Sequence, residues 1–172
     1  RIATLYGARQ EERRFVRVAD VPPLLLGTLQ AVEDRDFKYH HGVDPWAILR
    51  AAFANLSAGE VVQGGSTLTQ QLVRQRLLDP ALVQDPDRTV ERKIKEIIQS
   101  IRVTQAYPGL DGKRRIITAY YNQNFFGNNN YGIRAAAKDY FGVTDLNELT
   151  LAQAAILAAI PQSPSNYDLM KN

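Results

Sequence analysis

The sequence predicts a mostly α-helical fold, and three observations predict it. From Pro22-Pro23 onward, apolar residues recur at helical rather than alternating spacing. Helix-start signals are frequent, including Asp44-Pro45 and the Thr150…Gln153 pair. No alternating strand pattern appears beyond the first residues. The chain has 172 residues, enough for one domain.

Residues 1–20 mix β-branched residues, arginines and Gly7, and are expected to form an extended lead-in or a short β-hairpin with its turn at Gly7. A first helix is expected over Leu24–Val32. Asp44 as N-cap, with Pro45 at the first helical position, opens a second through about Leu56. Ser57–Gly65 is a loop of small residues. A third helix runs from Ser66 to about Leu78, and Asp79–Asp87, with two prolines, is a connector. A long helix follows from about Arg88 to Ala106, with Val90, Ile94, Ile97, Ile98 and Ile101 as its apolar stripe. Pro108–Gly112 ends it, Lys113–Gln123 is helical, and Asn124–Tyr131 is a Gly/Asn loop. Gly132–Tyr140 is helical again. A capping box at Thr150 and Gln153 starts a last helix that stops before Pro161.

Composition removes whole classes of chemistry. With 45% hydrophobic and 23% charged residues the chain is an ordinary globular domain, not a disordered or collagenous one. Cysteine is absent, which excludes thiol nucleophiles, disulfides and cysteine metal sites. The two histidines, His40 and His41, are adjacent and point different ways, so a two-histidine metal clamp is excluded. Phosphate-loop and dinucleotide fingerprints are missing. No stretch reaches the roughly 18 apolar residues of a membrane span, and no signal peptide is visible. The net charge is +3, with the basic excess in the middle of the chain. Such a bias suits an anionic partner, or is simply a solvated helix face.

What remains is carboxylate chemistry, and two of the seven glutamates stand out. Glu33 ends an apolar stretch and opens the polar run Glu33-Asp34-Arg35-Asp36-Phe37. A partly desolvated carboxylate there, beside the like charge of Asp34, suits a general base. Taken alone, such a residue is more often an ordinary surface acid. Glu96 is flanked on its helix by Arg92 and Lys93, opposite the isoleucine stripe. That patch is either a surface ion pair or a site that grips an anion. A third element, Gly64-Gly65-Ser66-Thr67-Leu68-Thr69-Gln70-Gln71-Leu72-Val73-Arg74, puts Thr67, Gln71 and Arg74 on one helix face behind two glycines. Capping by Ser66 or Thr67 explains its start. Uncharged donors with an arginine near a helix N-terminus also suit sugar hydroxyls and phosphates.

Together these segments resemble a known family. Glu33-Asp34-x-x-Phe37-x-x-His40-x-Gly42, Gly65 to Gln71, and Arg92-Lys93-x-x-Glu96 resemble the first three signatures of the peptidoglycan glycosyltransferases (glycosyltransferase family 51). Tyr120-Tyr121-Asn122 through Gly127, Tyr131-Gly132, Ala135-Ala136 and Tyr140-Phe141-Gly142 resemble the fourth. Ala154-Ala155 through Leu157-Ala158, Pro161, Pro164 and Tyr167 resemble the fifth. The five occur in the family's order. Departures are Thr118 and Gln153 where the family usually has Glu, Arg74 for Lys, and Asn129 for Gly, an asparagine that also tolerates positive φ.

The resemblance implies an all-α, lysozyme-like fold with a larger globular lobe and a small membrane-facing lobe, as one domain over residues 1–172. It implies an inverting transfer of a lipid-pyrophosphate-linked glycan to the 4-hydroxyl of lipid II, forming β-1,4 bonds and releasing undecaprenyl pyrophosphate. Glu33 and Glu96 are then the expected catalytic residues. Asp34, Phe37, His40, Thr67, Gln70, Gln71, Arg74, Arg92, Lys93 and Asn122 are expected to bind substrate. Glu96 is left to orient groups, to hold a divalent cation (magnesium or manganese) at the pyrophosphate, or to stabilise an oxocarbenium-like centre. Expected partners are lipid II, the growing glycan strand, the membrane surface and a covalently linked transpeptidase domain in the full-length protein. The expected place is the outer, periplasmic or extracellular, face of the bacterial cytoplasmic membrane, and moenomycin is the expected inhibitor. The missing anchor and transpeptidase domain suggest a fragment or a monofunctional form. Tyr107, Phe125, Phe126 and Tyr131 are candidates for a lipid-facing region. A lysozyme-like glycan-cleaving enzyme is the alternative. A basic helical nucleic-acid-binding module is a remote one, since the basic bias is mild and no nucleic-acid motif appears.

Overall fold

The protein's structure, a computed structural model, describes residues 5–6, 12–60 and 64–170. It is mostly helical. In chain order the elements are β1 (Leu5–Tyr6), β2 (Glu12–Arg13), α1 (Pro23–Glu33), α2 (Pro45–Ala58), α3 (Leu68–Arg76), α4 (Pro80–Gln84), α5 (Thr89–Ala106), α6 (Gly109–Gln123), β3 (Asn130–Tyr131), α7 (Ile133–Phe141) and α8 (Leu151–Ala159), with short 3-10 turns between some of them. Two compact units divide the chain: Arg1–Arg35 with Ile117–Asn172, and Asp36–Ile116.

In the first unit α1 packs on α8, and α7 contacts both α8 and β3. Leu25, Leu29, Ile117, Tyr120, Tyr121, Phe126, Ile133, Leu157 and Ile160 form its core. Each buried aromatic or branched side chain removes apolar surface from water, the main favourable contribution to folding. The buried Tyr121 hydroxyl donates to the Leu25 carbonyl at 2.7 Å, fastening α6 to α1. The expected hairpin exists: β1 and β2 pair antiparallel, Leu5 opposite Arg13. Its turn at Gly7 lies outside the described residues. An unforeseen strand, β3, pairs parallel to β2. It forms inside the expected Gly/Asn loop, whose Asn128 and Asn129 hold φ of 40° and 57°, the region that asparagine tolerates.

In the second unit α3 and α4 pack on α5. Phe37, Ala51, Leu68, Leu72, Val73, Leu82 and Ile116 are its buried apolar residues. Asp44 caps α2, its carboxylate accepting from the Ala47 amide at 3.0 Å, as expected. The expected connector over 79–87 is instead two short helical turns, because Asp79-Pro80 and Asp85-Pro86 repeat the Asp44-Pro45 device. Likewise α6 begins at Gly109, four residues before the expected Lys113.

Helix α5 has the expected extent, and its two faces are sorted against their polarity. The isoleucine stripe faces outward, with Val90 73%, Ile94 53% and Ile98 43% exposed. Glu96, Ser100 and Thr104 face inward and are buried. The hydroxyls of Ser100 and Thr104 donate to the carbonyls of Glu96 and Ser100, four residues back, at 2.6 and 3.0 Å, so burial leaves them satisfied. These small side chains let the Gly42 turn come close: a Cβ at Gly42 would stand 2.3 Å from the Ser100 carbonyl oxygen.

Candidate active site

The Gly-Gly-Ser-Thr segment enters α3 against α2. A Cβ on Gly65 would lie 2.9 Å from the Ile48 Cα, so a glycine is needed for that approach. Thr67 is the N-cap of α3. Its hydroxyl accepts from the Gln70 amide at 3.2 Å and donates to the Gly42 carbonyl at 2.7 Å. The Gln70 side-chain oxygen accepts from the Thr67 amide at 2.9 Å, completing a capping box. Gln70 is fully buried, and its Nε2 makes no hydrogen bond. Thr67 and Gln70 therefore do structural work at the start of α3, while Gln71 and Arg74, further along, are half-buried.

Arg74 reaches across to α5. Its Nε donates to Glu96 Oε1 at 2.7 Å and its terminal nitrogen to Oε2 at 3.3 Å. Arg92 donates to Oε1 at 2.5 Å, and Lys93 Nζ lies 3.3 Å from Oε2. The Lys93 ammonium also donates to Ser66 Oγ at 2.9 Å. One carboxylate with no exposed surface thus holds three cations, leaving two net positive charges. Arg74 and Lys93 are each 35% exposed, so that charge reaches solvent. Burial works to raise the Glu96 pKa, but the Arg74 hydrogen bond and the charges of Arg74, Lys93 and Arg92 outweigh it and hold it below the ordinary carboxylate value. Glu96 is a fixed anion that gathers cations, not a proton donor. Its oxygens are committed to cations, and the described residues hold no group of three carboxylates or histidines suited to a metal.

Glu33 ends α1 in the first unit and is half-buried, while Glu96 belongs to the second. Burial, first, and the Glu33 charge, second, raise the pKa of the enclosed Tyr120 phenol, which marks Tyr120 as a neighbour of Glu33.

Other expected contact residues have local partners. Asp34 is buried as the C-cap of α1, and Phe37 has no exposed surface. Asn122 uses both ends of its amide on Val16, accepting from its N–H at 2.8 Å and donating to its carbonyl at 2.9 Å, a strand-like clamp on the lead-in. His40 is half-buried, its Nδ1 accepting from the Gly42 amide at 3.2 Å. Of the aromatics expected to face lipid, Phe126 is fully buried and Phe125 packs on Tyr131 with centroids 5.1 Å apart; Tyr107 is exposed. Ser66, a cap candidate by sequence, instead accepts from Lys93. Its position beside a glycine pair gave no hint of the Lys93 contact.

A helical domain built around a cation-ringed glutamate is a fold-and-site combination suited to an anionic substrate, and comparison identifies the class. The family model described as "Transglycosylase" matches residues 1–172, and the chain belongs to that family. It is 42% identical over 165 residues to penicillin-binding protein 1A of Aquifex aeolicus (strain VF5), covering 95% of this chain and 21% of that protein. It is 40% identical over 162 residues to penicillin-binding protein 1A/1B of Bacillus subtilis (strain 168), covering 94% and 17%. With penicillin-binding protein 1A of Escherichia coli (strain K12) it shares 42% over 159 residues, covering 92% and 17%. The chain thus spans about a fifth of the length of these relatives.

Proposed function

We propose that this domain polymerises peptidoglycan glycan strands from lipid II by inverting transfer, releasing undecaprenyl pyrophosphate. The observation that carries this reading is the Arg74–Arg92–Lys93 cluster locked on Glu96. A pyrophosphate leaving group needs charge neutralisation more than a proton, and preorganised cations supply it without reorganising. Glu96 fixes their directions. Gln71 and Ser66 stand beside the cluster in sequence and add uncharged donors for phosphate or sugar oxygens.

A sugar hydroxyl is a weak nucleophile near neutral pH, so a positioned carboxylate base assists its attack on the anomeric carbon. Glu33 takes that proton in this reading. A glycan-cleaving enzyme would instead want a protonated acid at the leaving oxygen, and Glu96, held ionised, is unsuited to that task. Because Glu96 has its oxygens committed, the cations rather than a metal held by Glu96 neutralise the pyrophosphate.

Two features support contact with a lipid surface. On α2, Trp46, Leu49, Phe53 and Leu56 recur along one stripe and are exposed, and the α5 stripe is exposed in the same unit. Large apolar groups left in solvent mark interaction surfaces. Among the described residues no helix is long and apolar enough to cross a membrane. We place the domain at the outer face of the bacterial cytoplasmic membrane, as part of a longer protein that also carries a transpeptidase domain. Incubation with labelled lipid II tests the proposal. Long glycan, blocked by moenomycin, is expected. Absence of polymer, or cleavage of preformed glycan, refutes it.

A further inference from the structure

Lys113 lies on the first turns of α6 and is only 7% exposed. The backbone delivers it there through a tight turn: a Cβ on Gly112 would stand 1.9 Å from the Tyr107 carbonyl oxygen. Its ammonium donates to the His40 carbonyl at 2.6 Å and sits 4.3 Å above the Phe37 ring. Phe37 in turn meets the His40 ring edge to face, centroids 5.7 Å apart. One buried cation therefore grips both ends of the turn that follows Asp36, by a charge-assisted hydrogen bond and by the π face of an aromatic ring.

That turn is coupled onward. The Gly42 amide donates to His40 Nδ1, and the Gly42 carbonyl accepts from the Thr67 hydroxyl that caps α3. Helix α3 carries Arg74 to Glu96. We infer that Lys113 is a positioning residue for the transfer reaction: it fixes the His40–Gly42 turn, and through Thr67 the direction in which α3 presents Arg74 to Glu96. The same contacts set the His40 tautomer. With Nδ1 accepting from Gly42, the neutral ring carries its proton on Nε2.

The catalytic half of this inference rests on the proposed polymerase activity; the tautomer half does not. A His41→Gln background leaves one imidazole in the chain. Nitrogen-15 NMR of that ring, with Lys113 in place, should show a single Nε2–H tautomer. Lys113→Met should give mixed tautomers and lower kcat on lipid II at least tenfold with KM within about twofold, the effect of slight misplacement. Lys113→Arg, which donates to a carbonyl and stacks on a ring, should restore both. Leu82→Ala, a core truncation in α4, should lower thermal stability and move neither. An Nδ1–H tautomer without the Met substitution overturns the inference even if Lys113→Met fails to fold. So does a Met variant with an unchanged tautomer, or a Leu82→Ala variant that matches it. A protein that makes no polymer yet loses the tautomer in Lys113→Met refutes the activity and leaves the positioning of the turn standing.

Discussion

Arg74 and Glu96, 22 residues apart, meet through two hydrogen bonds, Nε to Oε1 at 2.7 Å and a terminal nitrogen to Oε2 at 3.3 Å. The pair joins α3 to α5. Its geometry gives Arg74 a planar grip that a lysine would not reproduce, which is a physical reading of the arginine found where the family usually has lysine. Arg74→Lys should retain activity at reduced kcat, about tenfold lower, since the charge stays and the second hydrogen bond is lost. Steady-state turnover of lipid II measures it.

Glu96→Gln preserves shape and removes charge. Arg74, Arg92 and Lys93 then face one another without their shared anion. Breaking a buried pair from one side costs roughly 3 kcal/mol. The variant should unfold at lower denaturant and lose polymerisation by about two orders of magnitude or more, because the cations no longer converge. Denaturant unfolding and lipid II turnover check the two effects separately. Full activity would reduce Glu96 to a structural ion pair.

The depressed pKa of Glu96 has a consequence for acid stability. A carboxyl whose folded pKa lies below its ordinary value of 4.5 contributes stability that is complete above that pH. The contribution is lost as pH falls through the lower folded value. Wild type and Glu96→Gln should therefore differ most above about pH 4.5 and converge in stronger acid. Unfolding midpoints followed by circular dichroism between pH 3 and 7, a range set around the ordinary carboxyl values, show whether the gap closes. A gap that widens in acid contradicts the ion cluster.

Glu33→Gln tests the proposed base. General-base assistance contributes about 10² to 10⁴ in rate. Polymerisation should fall by that factor while lipid II binding and folding stay near wild type, because an amide keeps the size and loses the proton acceptor. Turnover and equilibrium binding of labelled lipid II provide the comparison. Wild-type turnover in the variant would remove Glu33 from the role.

Most of the helical order was legible because caps are local chemistry: Asp44-Pro45 and Thr150…Gln153 act within three residues. The same logic, applied to Asp79-Pro80 and Asp85-Pro86, would have found two more turns. Orientation was not legible. Periodicity locates an apolar face on α5 but not what covers it, and the close approach of Gly42 to Ser100 is set by residues far apart in sequence. The Arg92–Lys93–Glu96 cluster could be read from spacing on one helix, whereas Arg74 joins it only through tertiary packing. Asn122 looks like an open polar group in sequence. Its partner is the Val16 backbone, 106 residues away, and nothing in residue type reports that.

The outward-facing apolar stripe of α5 predicts an asymmetry between neighbouring positions. Ile98→Ser changes an exposed side chain and should shift stability by within about 0.5 kcal/mol. It should also weaken binding to lipid vesicles if the outer stripe meets a membrane. Ser100→Leu forces a large group toward the Gly42 turn, where there is no room, and should cost about 1–3 kcal/mol or more. Denaturant titration of both variants decides the orientation. The opposite order of effects would return the isoleucine stripe to the core.

The Asn122 clamp predicts how the lead-in is held. Both amide groups of the side chain satisfy the Val16 backbone, and Val16 itself is buried. Asn122→Ala leaves a backbone donor and acceptor without their partner, a loss of about 1–3 kcal/mol for buried groups. Asn122→Asp keeps the acceptor for the Val16 N–H but removes the donor, so it should recover part of that loss. Amide hydrogen exchange at Val16 reads the result directly: fastest in the alanine variant, intermediate in the aspartate, slowest in wild type. Equal protection in all three would mean that the segment is held by the apolar packing of Val16 rather than by the clamp.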